Sequence, residues 1–198
     1  MKIQMVLGLA AALLATPAAF GDITIGSLND AGYNSSSGHT YLGQSFTVPA
    51  GETGLVAGSL ALHGSGGSDS SGFWRLYTFS DDGGSATLGT QLASASITVA
   101  GANAPVTYSH NFNVPVVAGD KYALLVDWGS PNNAGGYFSN SSYYPGGTTI
   151  FSTDGSVPVV YNNYDMAFQI TFGQIPEPAL LGVLAPLMLL VRRRRSSV

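Results

Sequence analysis

The 198-residue chain is 45% hydrophobic but only 9% charged, contains no cysteine and carries a formal net charge of −4. Without cysteine it has neither a disulfide framework nor a thiolate metal site, so packing must hold the fold. Of the seven basic residues only Arg75 and Lys121 fall within residues 22–174, against ten of the eleven acidic ones; a body so poor in cations cannot neutralise a run of phosphates, which excludes nucleic acid as a partner.

In chain order, residues 1–21 come first. Lys2 precedes an apolar run over 3–14, and Pro17, Ala18, Ala19, Phe20 and Gly21 follow. This is the layout of a secretory signal, with small residues where the signal peptidase reads, and it predicts cleavage between Gly21 and Asp22. The apolar run forms a signal helix too short to span a bilayer. Residues 22–174 are long enough for one domain with a core of its own.

Within that domain, short runs alternate with clusters of Gly, Ser, Asn and Asp, a spacing of strands and turns. Strands are predicted over 44–48, 55–63, 73–79, 91–99, 106–114, 121–127, 148–152, 157–161 and 165–172. The run 106–114 sets Val106, Tyr108, His110, Phe112 and Val114 against Thr107, Ser109, Asn111 and Asn113, and 165–172 sets Met166, Phe168, Ile170 and Phe172 against Asp165, Ala167, Gln169 and Thr171. Such period-two alternation is the mark of a strand with one buried face. The run 121–127 is apolar throughout its middle, as in a central strand covered on both faces. So many strands of this apolarity without a long amphipathic helix imply two packed sheets: an all-β antiparallel β-sandwich of jelly-roll type.

Chemistry is sparse along these strands. His110 falls on an apolar face, which suits a packed, hydrogen-bonded histidine, and His39 and His63 stand at no zinc-ligand spacing to each other or to it. There is no nucleophile elbow, no Ser-x-x-Lys and no obvious carboxylate pair, since Glu52 is the body's one glutamate and the aspartates lie mostly in loops. Asp69, Asp81 and Asp82 suit a calcium-binding loop by type, but Asp and Gly are equally favoured in solvated turns for their backbone behaviour. The reading is therefore of a protein without a catalytic site, metal or other cofactor.

The aromatics are more suggestive. Trp128, Tyr137, Phe138, Tyr143 and Tyr144 cluster in and beside a stretch rich in Asn, Gly and Ser, and Tyr161 and Tyr164 border another. Exposed rings beside amides and hydroxyls make a stacking platform for a sugar. The same rings folded inward would cap the ends of the sandwich, and the sequence leaves both accounts open.

The C-terminal segment, 175–198, begins with Pro176, Glu177 and Pro178, continues with apolar or small residues over 179–191, and ends with Arg192, Arg193, Arg194 and Arg195 before a short polar tail. A helix over 179–191 reaches about 20 Å, short of a hydrocarbon core of roughly 30 Å, and its arginines should stay cytoplasmic. This order of triplet, short helix and cation cluster closely resembles the PEP-CTERM sorting signal. The resemblance implies export by a bacterium that makes extracellular polysaccharide, a transient stay in the inner membrane, and removal of the tail by a membrane protease of the exosortase type.

The body also resembles a domain found in such proteins. The likeness rests on Gln44-Ser45-Phe46, Leu76-Tyr77, Leu88-Gly89, Leu92-Ala93, the run from Ala118 to Leu124, and Asp165-Met166-Ala167-Phe168. Those domains are similar in shape to carbohydrate-binding jelly-rolls. The expectation is a non-enzymatic surface or matrix protein associated with exopolysaccharide. Two alternatives accompany it: a carbohydrate-binding module using the aromatic loops, and a glycan hydrolase.

Overall fold

The computed structural model describes residues 22–28, 31–34, 38–64, 67–81, 86–139, 144–155, 159–161 and 164–175. The signal helix, the Pro-Glu-Pro triplet, the apolar C-terminal helix and the arginine cluster expected from the sequence lie outside them. Among the described residues there is no helix, and hence none long and apolar enough to cross a membrane.

The described residues form twelve strands: β1 (Ile23–Ser27), β2 (Ala31–Asn34), β3 (His39–Thr47), β4 (Gly54–His63), β5 (Ser70–Asp81), β6 (Ala86–Val99), β7 (Val106–Pro115), β8 (Lys121–Asn132), β9 (Gly135–Ser139), β10 (Thr149–Ser152), β11 (Val159–Tyr161) and β12 (Phe168–Gly173). All nine predicted strands fall on members of this set. The additional ones are β1, β2 and β9.

The strands form two six-stranded sheets, and every pairing within them is antiparallel. In the first, β1 pairs β12 and β12 pairs β4; β4 is flanked on its other edge by β7, and β9 continues the β12 side at Leu62 and His63 before pairing β2. In the second the order is β11-β10-β3-β8-β5-β6.

The alternating side chains explain how the sheets meet. Leu42 and Phe46 of β3, Trp74 and Leu76 of β5, and Leu124 and Val126 of β8 point to one cluster with Leu55, Leu60 and Leu62 of β4 and Phe168, Ile170 and Phe172 of β12. Phe46 meets Phe172 edge-on at 5.9 Å between centroids, and Trp74 meets Phe112 at 6.4 Å. The two faces thus close over one core as a β-sandwich. At Gly58 on β4 the sheets come so close that a methyl group would sit 2.6 Å from Leu124 Cδ2 of β8.

The strand β8 is central and its residues from Tyr122 to Val126 are all buried, as its continuous apolar run predicts. Its outward side chains, Ala123 and Leu125, join a second apolar cluster with Tyr41, Phe79, Ala86 and Ile150 on the outer face of the second sheet. That sheet is therefore only partly open to solvent, and the open part is a groove.

Candidate functional groove on the outer sheet

The groove follows from strand register. Tyr41 of β3 and Phe73 of β5 both lie opposite Asp127 of β8, and Arg75 lies opposite Leu125. With a period of two, Tyr41, Phe73, Arg75, Tyr77, Leu125 and Asp127 all face outward. Together with Thr40, Leu88, Gly129, Asp154 and Gly155 most of these line a cleft of about 480 Å³, within the roughly 300–1,000 Å³ usual for small-ligand sites.

Its polar groups are held in place. Arg75 and Asp127 are diagonal neighbours on adjacent strands, a spacing that long side chains bridge. Arg75 Nε sits 2.7 Å from Asp127 Oδ2, a contact whose angle makes it an ion pair rather than a hydrogen bond. Arg75 Nη1 donates to Gln91 Oε1 at 2.6 Å, and the Tyr77 hydroxyl donates to the same oxygen at 3.1 Å. The guanidinium also lies 5.4 Å from the centroid of Phe73, whose ring is 48% exposed at the rim. Asp127 Oδ1 accepts the Gly129 N–H at 2.8 Å, where the chain takes φ 71°, a left-handed conformation that glycine adopts without strain. The opposite wall is fixed in the same manner. Ser152 Oγ donates to Asp154 Oδ1 at 3.1 Å and accepts from the Gly155 N–H at 3.0 Å, while Thr40 Oγ1 donates to the Thr153 carbonyl at 3.0 Å.

Tyr41 stands out in this wall. Its side chain is only 6% exposed, and its hydroxyl is sealed in the wall beside Ser152. Burial raises its pKa above the ordinary tyrosine value, with smaller contributions from Asp154, Asp127 and Tyr77 opposing the nearby Ser152 hydroxyl.

Of the aromatic residues singled out in the sequence, Trp128, Tyr137 and Tyr144 are turned into the protein rather than exposed. Trp128 and Tyr137 are strand residues of β8 and β9, each 8% exposed, with Trp128 in the main core. Tyr137 packs edge-on against His63 at 5.3 Å and donates to the Asn103 carbonyl at 2.6 Å. Tyr144 is half-buried against Phe168 at 5.5 Å and donates its hydroxyl to the Thr47 carbonyl at 3.1 Å, and burial raises its pKa. Phe138 is half-buried beside Tyr164, which is exposed. Tyr143 lies outside the described residues. The inward account thus holds for Trp128, Tyr137 and Tyr144, because burying these rings removes their large apolar surface from water.

Other candidates are equally placed. His110 is half-buried on the inner side of β7, packed edge-on against Phe112 at 4.8 Å. His39 opens β3 against the Phe151 ring, and burial lowers its pKa. His63 is buried, with Nδ1 2.9 Å from the Gly64 carbonyl. Asp69 and Asp81 stand at opposite ends of the 12-residue β5, roughly 35 Å apart at the usual rise per residue, too far to ligate one ion. Asp69 instead accepts the Gly101 N–H at 3.1 Å, and Asp82 lies outside the described residues. Among the described residues no three His, Asp or Glu side chains converge as a metal site.

Two of the sequence motifs meet in the interior. Gln44 Nε2 donates to Asp165 Oδ1 at 2.6 Å, Asp165 Oδ2 accepts the Tyr144 N–H, and Gln44 Oε1 accepts the Met166 N–H at 2.9 Å. Asp165 is 2% exposed, and burial raises its pKa against the lowering effect of those hydrogen bonds. The network ties the end of the 144–148 turn to β3 and β12 and is structural. Comparison with protein-family models and with curated proteins yields no match for this chain.

Proposed function

We propose that this protein is an exported, non-enzymatic surface protein that binds extracellular polysaccharide through the groove on its outer sheet. The signal-like N-terminus and the Pro176-Glu177-Pro178 tail with Arg192 to Arg195 support export, passage through the inner membrane and processing by an exosortase-type protease. Among the strands, β1, β12, β4 and β7 on one face and β3, β8, β5 and β6 on the other follow the order of a jelly-roll, which supports the shape expected from the sequence.

The observation that carries the binding function is the groove itself. Tyr41 and Tyr77 line it with a fixed Arg75–Asp127 pair, and the exposed Phe73 ring lies against the Arg75 guanidinium. A pyranose presents an apolar ring face and an edge of hydroxyls, and it complements this mixture of rings and oriented donors and acceptors. Arg75 and Asp127 are partly exposed, so their pairing adds only about 0–1 kcal/mol to stability, and Arg75 can be replaced without unfolding the protein. Tyr77→Ala and Arg75→Ala are expected to migrate freely in native gels containing the polysaccharide that retards the parent protein. Equal retardation of both variants would refute the groove as the site.

A hydrolase reading has one favouring observation, since Asp127 and Asp154 both line the cleft. Both oxygens of Asp127 are already engaged, by Arg75 and by the Gly129 N–H, which suits holding a ligand better than relaying protons. Release of reducing ends from the bound glycan would establish turnover.

A further inference from the structure

We infer that β6 is a self-association edge: two copies of this chain pair antiparallel through residues 93–99, joining their second sheets about a two-fold axis near Ser96.

An edge strand leaves one row of backbone N–H and C=O groups open to pairing, and proteins blunt such edges with shortness, charge, proline or bulges. Most edges of this sandwich are blunted. Strands β11, β2 and β1 have three, four and five residues. The remaining edge of the first sheet, β7, breaks its register with β4 after Leu55, takes φ 49° at Asn113 and ends on Pro115. In contrast β6 has 14 residues, and among the described residues no strand pairs it on the side away from β5. Its register with β5 shifts between Gln91 and Ala93 and then runs unbroken to Val99. That regular stretch contains neither charge nor proline.

Charge indicates what covers it. The body is acidic, yet no Asp, Glu, Lys or Arg falls within 83–119, which holds both β6 and β7. An acidic protein recruits a foreign partner through opposite charge, and this edge offers none. A two-fold pairing has the reverse requirement, because a charge near the axis would face its own copy at a cost. About Ser96, hydroxyls meet on the outer face, with Ser94 against Thr98 of the copy, and apolar side chains meet on the inner face, with Ala95 against Ile97.

The core is also open on this side. Tyr108, His110, Phe112 and Val114 on the inner side of β7 are half-buried, whereas Leu55, Leu60 and Leu62 of the neighbouring β4 are 0% exposed. The strand β7 runs beside β6, and the Ala100 N–H donates to the Tyr108 hydroxyl at 2.8 Å. A copy seated on β6 brings its own half-closed seam against this one, so apolar burial adds to backbone pairing. An axis normal to the sheet sets both grooves on one face of the joined sheet, where one polymer can engage both. That consequence rests on the groove reading; the pairing does not.

The test is sedimentation equilibrium of the purified protein without ligand, over a wide range of concentration. A monomer–dimer equilibrium is expected, with backbone amides of 93–99 exchanging hydrogen more slowly where the dimer prevails. Ser96→Lys, which sets a cation against its own copy, should raise the dissociation constant at least about tenfold. Thr24→Lys, on the exposed face of β1, should leave it unchanged. Both variants keep the same apolar ends, so their difference reads the edge alone, and the exchange measurement needs no variant. A monomer at every concentration, an open-ended assembly, slowed exchange that spares 93–99, or a folded Ser96→Lys that dimerises as tightly as the parent would overturn the pairing. Because no glycan is present, failure of the groove reading leaves these results unchanged.

Discussion

Asp165 and Tyr41 are both buried polar side chains, and they differ in what surrounds them. Asp165 is fully engaged by Gln44 and the Tyr144 N–H, so it fixes structure; Tyr41 lines the groove with its hydroxyl buried in the wall beside Ser152. Asp165 has a consequence for pH dependence. Its native pKa lies above the ordinary 3.8 because burial penalises the charge more than its hydrogen bonds relieve it. The native state therefore holds the proton more tightly than the unfolded chain. Its contribution to stability is fully present below 3.8 and is lost as pH rises through the native value. Urea midpoints measured across that window should fall with rising pH in the parent protein and less steeply in Asp165→Asn; the difference in slope, rather than any constant offset, is the readout. Parallel slopes would show that the carboxyl does not titrate abnormally.

At the scale of elements, legibility in the sequence followed the pattern of burial. Strands with one wet face, such as β7, or two dry ones, such as β8, carry their signature in the order of residues. The strand β9 does not, because Gly135 and Gly136 have no side chains to alternate; β1 is a mostly exposed edge strand with no buried face to mark, and β2 (Ala31–Asn34) is made largely of residue types that strands disfavour. The aromatic stretch was ambiguous for a related reason: ring type and polar neighbours say nothing of direction, and Trp128 points inward because β8 places Val126 and Trp128 on the same face. The groove was illegible altogether. Tyr41, Arg75, Asp127 and Asp154 lie on β3, β5, β8 and the turn after β10, far apart in sequence, and only strand register assembles them. The available hint was Arg75, one of only two cations in the body, standing next to the Leu76-Tyr77 pair.

Over the whole chain composition divides by segment: both ends are hydrophobic and flanked by cations, and the acidic body between them is a sandwich with a groove on its outer sheet. If the ends serve export, intact-mass measurement of material released by the producing cells should give a chain that starts at Asp22 and stops near Pro176; a released chain still bearing Arg192 to Arg195 would contradict processing. The claim on which the rest depends is where a glycan sits. Amide chemical-shift mapping during titration with a neutral oligosaccharide answers this most directly. The expected result is a set of shifts confined to the groove strands around Tyr41, Arg75, Tyr77 and Asp127, with Gly129 and Gly155 at its ends. Shifts centred instead on Tyr137, Phe138 and Tyr144, or spread evenly over both sheets, would contradict it.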